Sequence, residues 1–142
     1  MKKILAASIF LFAISCEDSE DEKSGPDLTG TYKLNKDYWD CDGKQDIIWM
    51  TIEKNTEVNT RVQIWDYMGD DCDDGSSCYQ KEEVINFSAE GNELIFVDNG
   101  EKVKISGNAS AGGHITLTFP DGSSEKWDYF TSEVETYSPV CN

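Results

Sequence analysis

Several common chemistries have little to work with in this chain. Its 142 residues include one histidine, His114. No Ser or Cys near it in sequence forms a nucleophile pattern, so Ser–His or Cys–His catalysis is not expected. No two cysteines have C-x-x-C spacing, which with a lone histidine argues against a zinc site. Basic residues are scarce, 12 against 28 acidic ones, for a net charge of −16. So acidic a surface is repelled by nucleic acid and by anionic lipid, both polyanions. The apolar run at residues 4–14 is too short to span a membrane, which takes ~20 residues. No strong amphipathic-helix period follows it. Carboxylates are plentiful, but abundance alone does not set a glycosidase-type pair across a bond. A non-enzymatic protein without a cofactor is expected.

What is present begins at the N-terminus. Lys2 and Lys3 precede the apolar run, and Ala13-Ile14-Ser15 precede Cys16. A positive start, a short apolar core and small residues at a boundary describe a secretory signal peptide. The segment ending at Cys16 resembles a bacterial lipobox, with Ala13 in place of the usual Leu. The resemblance implies that residues 1–15 are removed and that Cys16 is acylated, which anchors the chain to a bilayer. Several acyl chains on one cysteine make a stable anchor. Residues 16–27 then read as a tether, with Glu17, Asp18, Glu20, Asp21 and Glu22 crowded after the cysteine. A charge run of this kind is ordinarily a solvated linker. It also resembles the surface-export signal of Bacteroidota lipoproteins, which implies an outer-membrane location facing outward, the periplasmic face being the alternative.

Lipidation of Cys16 leaves Cys41, Cys72, Cys78 and Cys141. Export favours disulfides, and four cysteines allow three pairings. Cys72 and Cys78 bracket one short loop, so the expected pairs are Cys72 with Cys78 and Cys41 with Cys141. Removal of residues 1–15 leaves 10 basic against 28 acidic residues, a net charge near −18. The aromatic content, 11%, still marks residues 28–142 as a folded domain.

That domain reads as eight strands, at residues 31–36, 47–54, 61–67, 83–88, 93–98, 102–106, 114–119 and 125–131. Apolar residues alternate with polar ones in Lys102-Val103-Lys104-Ile105 and in His114-Ile115-Thr116-Leu117-Thr118-Phe119, the period of a half-buried strand. Ile47-Ile48-Trp49-Met50 is apolar on both faces and its orientation stays open. Asp98-Asn99-Gly100 predicts a type I′ hairpin turn. Short reversals join the later strands, so the expected fold is all-β, an eight-stranded up-and-down antiparallel barrel. A two-sheet sandwich is the alternative. The inward face is predicted to hold Tyr32 and Leu34, Val62 and Ile64, Ile85 and Phe87, Leu94 and Phe96, Val103 and Ile105, Ile115, Leu117 and Phe119, and Trp127 and Tyr129.

Leu28-Thr29-Gly30-Thr31-Tyr32-Lys33-Leu34 resembles the G-x-W/Y opening of lipocalin-like proteins, calycin-type barrels, and in particular the small lipocalin-like lipoproteins of Bacteroidota. The resemblance implies that Gly30 makes a close turn into the first strand, that Tyr32 plugs a closed barrel end, and that the interior takes a small apolar or amphipathic ligand. An interaction module that meets a protein or glycan through its acidic loops is the competing function. Cavity or core residues would be Tyr32, Leu34, Ile64, Phe87, Phe96, Ile105, Leu117, Trp127 and Tyr129.

Two further patterns read more plainly. Trp65-Asp66-Tyr67 and Trp127-Asp128-Tyr129 could line a ligand site, but alternation favours core aromatics with a solvated Asp in both. Asp70, Asp71, Asp73 and Asp74 crowd one loop. With Gly75 as the sixth position of an EF-hand loop, Cys72 and Lys81 fall at ligand positions and break the pattern, so a solvated, disulfide-pinned loop without metal is expected, a calcium loop of another kind being the alternative.

Overall fold

The computed structural model describes residues 26–35, 47–54, 60–70, 77–82 and 84–141. Cys16, the acidic tether up to residue 25, Cys41, Cys72, Asp71, Asp73 and Asp74 lie outside the described residues.

Among the described residues there are nine strands: β1 (Gly30–Leu34), β2 (Ile48–Lys54), β3 (Thr60–Tyr67), β4 (Tyr79–Lys81), β5 (Ile85–Glu90), β6 (Glu93–Phe96), β7 (Lys102–Gly107), β8 (His114–Thr118) and β9 (Ser124–Thr131). Eight of them form a closed antiparallel ring in the order β1-β2-β3-β5-β6-β7-β8-β9, with β9 back on β1. The chain is an eight-stranded barrel with one strand added. Closure rules out two separate sheets.

The added strand exists because β3 is longer than its partner. β5 pairs with Thr60–Val62 and β4 pairs with Trp65–Tyr67 on the same edge. Opposite Gln63 and Ile64 the ladder is interrupted, and bonds from the Glu82 backbone and the Gln63 side chain take its place. Glu82 N donates to Ile64 O at 3.1 Å, while Gln63 Nε2 donates to the carbonyls of Ile64 and Glu82. β4 and β5 thus share one edge of β3, with a break in the ladder between them.

Alternation sets the core. Tyr32, Met50, Ile52, Leu94, Val103 and Ile115 are each no more than 1% exposed and belong to one cluster with Leu28, Leu34, Val62, Phe87, Ile105, Leu117 and Trp127. Ile48, Ile64, Ile85, Phe96, Phe119 and Tyr129 pack against it half-buried. The ambiguous apolar run resolves with Met50 opposite Ile64 and Trp49 opposite Trp65, so Ile48 and Met50 face in and Trp49 faces out.

Three expectations are corrected. Cys78 is bonded to Cys141, with Cα atoms 5.1 Å apart, not to Cys72, and Cys141 is not bonded to Cys41. The reason is the path of the C-terminal tail, which returns alongside β4. Tyr79 N donates to Pro139 O at 2.8 Å, Cys141 N donates to Tyr79 O at 3.0 Å, and Tyr79 bridges Val140 in parallel. Second, the loop after β6 is not a type I′ turn, which needs positive φ at both central residues. Only Gly100 has it, at φ 73°, and Phe96 N reaches Glu101 O at 2.9 Å across four residues. Third, Trp65 does not face the core interior. With Val62 and Ile64 turned inward, alternation sends Trp65 and Tyr67 to the outside of the barrel.

Candidate functional site

Up-and-down order brings alternate strand ends together, so the barrel has two distinct ends. At one, β1 begins and β9 finishes. Tyr32 is fully buried there and its hydroxyl donates to Leu28 O at 2.7 Å. Its ring meets Tyr129 edge-on at 5.6 Å. Burial, then the neighbouring Tyr129 and Asp27, hold the Tyr32 hydroxyl well above the usual tyrosine range. Leu28, Ile52, Leu94 and Ile115 complete a sealed floor, all buried. Gly30 enters this floor at φ 146°, and a side chain there would strike Thr131 O, so the close approach needs a glycine.

The other end is less covered. Inward-facing Ile48, Ile85 and Phe96 lie at the ends of β2, β5 and β6, Ile64 lies in the second half of β3 and Phe119 just past β8, and all are half-buried. Phe96 packs on the buried Phe87 with ring centroids 4.3 Å apart. These partly open apolar side chains share the inward register with Asp66, opposite Ile48, and with Glu125, two residues before Trp127, so this end of the barrel is apolar with two carboxylates beside it.

Of the residues singled out from the sequence, Tyr32, Leu34, Phe87, Ile105, Leu117 and Trp127 are buried in the single core cluster, and Ile64, Phe96 and Tyr129 pack against it. His114 is exposed at the start of β8. Asp70 ends the short 3-10 turn Met68–Asp70. Among the described residues no three His, Cys, Asp or Glu come together as metal ligands, and no described helix is long and apolar enough to cross a membrane.

The second region of interest was missed in sequence. Residues 132–141 form a strap over the outer face of β1, β2 and β3. Thr31 Oγ1, fully buried, donates to Glu133 O at 2.7 Å and accepts from Glu135 N at 3.0 Å. Tyr137 stacks on Trp49 at 5.4 Å, meets Trp65 edge-on at 5.8 Å and lies against Tyr79 at 4.9 Å. Burial, then Glu135 and Tyr79, raise the Tyr137 hydroxyl above the usual range. Thr51, Gln63 and Trp65 point outward from the barrel yet are buried, because the strap covers them. The signal was available: with Val62 and Ile64 turned inward, Gln63 and Trp65 must face out, and a Trp placed there asks for a cover.

No family model, curated protein or solved structure matches the chain.

Proposed function

We propose that this is an exported, non-enzymatic lipoprotein, anchored through Cys16, whose lipocalin-like barrel holds a small apolar or amphipathic ligand at its open end. The supporting observation is the asymmetry of the barrel. One end is closed by Tyr32 and Leu28, while the other presents five half-buried apolar side chains facing inward. The lipobox-like boundary and the acidic run after it favour the outer membrane, with the domain outward.

Two measurements test the reading separately. Cys16→Ser should move the protein from membrane to soluble fractions, and retention on membranes would remove the anchor. For the barrel, a neutral apolar fluorophore, N-phenyl-1-naphthylamine, should bind saturably. Phe96→Ala at the mouth should weaken that uptake. Leu94→Ala in the sealed floor should cost ~2–5 kcal/mol of stability, and the Phe96 variant less. No uptake by wild type, with equally large stability losses at both positions, would show a barrel packed throughout and favour the interaction module.

A further inference from the structure

A cavity of about 130 Å³ opens under the strap, on the outside of the barrel and away from its mouth. Its wall includes Arg61, Gln63 and Trp65 of β3, Glu53 of β2, Lys81 of β4 and Glu135 of the strap. By the liquid volume of water this is room for about four waters, or one small organic molecule.

Three features set this cavity apart from an ordinary surface dent. Arg61 is the single arginine of the whole chain. It stands directly across the strands from Glu53, yet among the described residues no ion pair within 4.0 Å joins Arg61, Lys81, Glu53 or Glu135 to one another. In a protein of net charge −16, two cations and two anions balance around one cavity and stay apart. The third feature is Gln63. Its Nε2 is committed to two backbone carbonyls, which fixes the orientation of the amide. Its Oε1 is buried and has no donor. A buried acceptor without a donor costs free energy.

We propose that this cavity is a binding site for a small zwitterion of the amino-acid type. Arg61 offers the planar fork that fits a carboxylate. Gln63 leaves β3 on the same face two residues on, about 7 Å away along the strand, and the Glu135 carboxylate of the strap suits an ammonium. Trp65 forms the apolar floor, held by its Nε1 donating to Thr51 Oγ1 at 3.3 Å. Lys81 lies over the Trp65 ring at 5.2 Å and closes the far rim. The site is independent of the barrel mouth, so neither proposal depends on the other.

The Trp65 indole N–H is a reporter inside the wall, and its NMR resonance can be assigned with Trp65→Phe. L-alanine should shift it saturably. Propionate and ethylammonium, each lacking one of the two charges, should bind at least about tenfold more weakly. Arg61→Gln, at an exposed position, should weaken L-alanine roughly tenfold, the scale of one lost charge-assisted hydrogen bond, and leave the thermal midpoint unchanged. No saturation by about 10 mM L-alanine, beyond the Kd of even a weak built site, would overturn the proposal. So would equal responses to the three probes, or unchanged affinity in Arg61→Gln.

Discussion

Trp127-Asp128-Tyr129 and Trp65-Asp66-Tyr67 are the same triplet on opposite sides of the barrel wall. In β9 the Trp and Tyr face in, Trp127 is 3% exposed, and Asp128 faces out, where it accepts from Asn35 Nδ2 at 2.7 Å. In β3 the aromatics face out, yet Trp65 is only 5% exposed. The indole of each finds a local acceptor, Glu125 Oε2 at 3.2 Å for Trp127 and Thr51 Oγ1 at 3.3 Å for Trp65. Identical chemistry is therefore buried twice by different means. Trp127 is covered by the closed sheet itself, and Trp65 by a strap of irregular chain. The face a residue takes is decided by its register in the strand, not by the triplet it belongs to.

Truncation gives the largest expected contrast. Trp127→Ala opens a void inside a wall that cannot collapse and should cost ~3–5 kcal/mol in urea unfolding. Trp65→Ala loses burial under a strap that can settle onto the space, so ~1.5–3 kcal/mol is expected. A cost at Trp65 equal to that at Trp127 would make the strap part of one continuous core.

Releasing the strap should have an intermediate effect. Cys78 and Cys141 are 63 residues apart, and freeing a loop of that size by Cys78→Ser with Cys141→Ser should cost ~2–4 kcal/mol. Quenching of tryptophan fluorescence by acrylamide should rise for Trp49 and Trp65, with Trp127 unaffected. Equal exposure of all three would mean that the tail holds the barrel closed.

The smallest effect lies at alkaline pH. Tyr32 inside and Tyr137 outside both have hydroxyls held above the usual tyrosine value. The unfolded chain then releases those protons first. Their contribution to stability is complete below about pH 10, the ordinary tyrosine value, and is lost as pH rises toward the folded values. In ultraviolet titration Tyr32→Phe should remove one late step and Tyr137→Phe another. If Tyr137→Phe removes no late step, the strap opens readily in solution.

Much of the barrel was legible because its signals are local. Val103 and Ile105, or Ile115 and Leu117, announce a strand face with no knowledge of a partner, and the strands at 47–54 and 125–131 fall within a residue of β2 and β9. The barrel closed by those strands was expected on the same grounds. What escaped depends on distant chain. Tyr79-Gln80-Lys81 is too short to show a period and is a strand only because β3 overhangs β5 and Val140 returns beside it. The Cys78–Cys141 pair follows from that return, whereas sequence proximity favoured Cys72. Arg61 was visible as a lone arginine, but its meaning comes from Gln63 and the strap, which only the fold brings beside it.

The point where the chain enters the barrel has a directional consequence. Gly30 opens β1 at the sealed floor, beside the end of β9, so a tether running back from residue 26 leaves from that floor. With Cys16 as the proposed anchor, a tether of about a dozen residues would span at most ~40 Å and would pull on the blind side of the vessel. Strands of this length stand ~20 Å tall. The apolar mouth would then face away from the bilayer, like a cup tied by its base, and would meet its ligand from the medium instead of from the membrane that holds it.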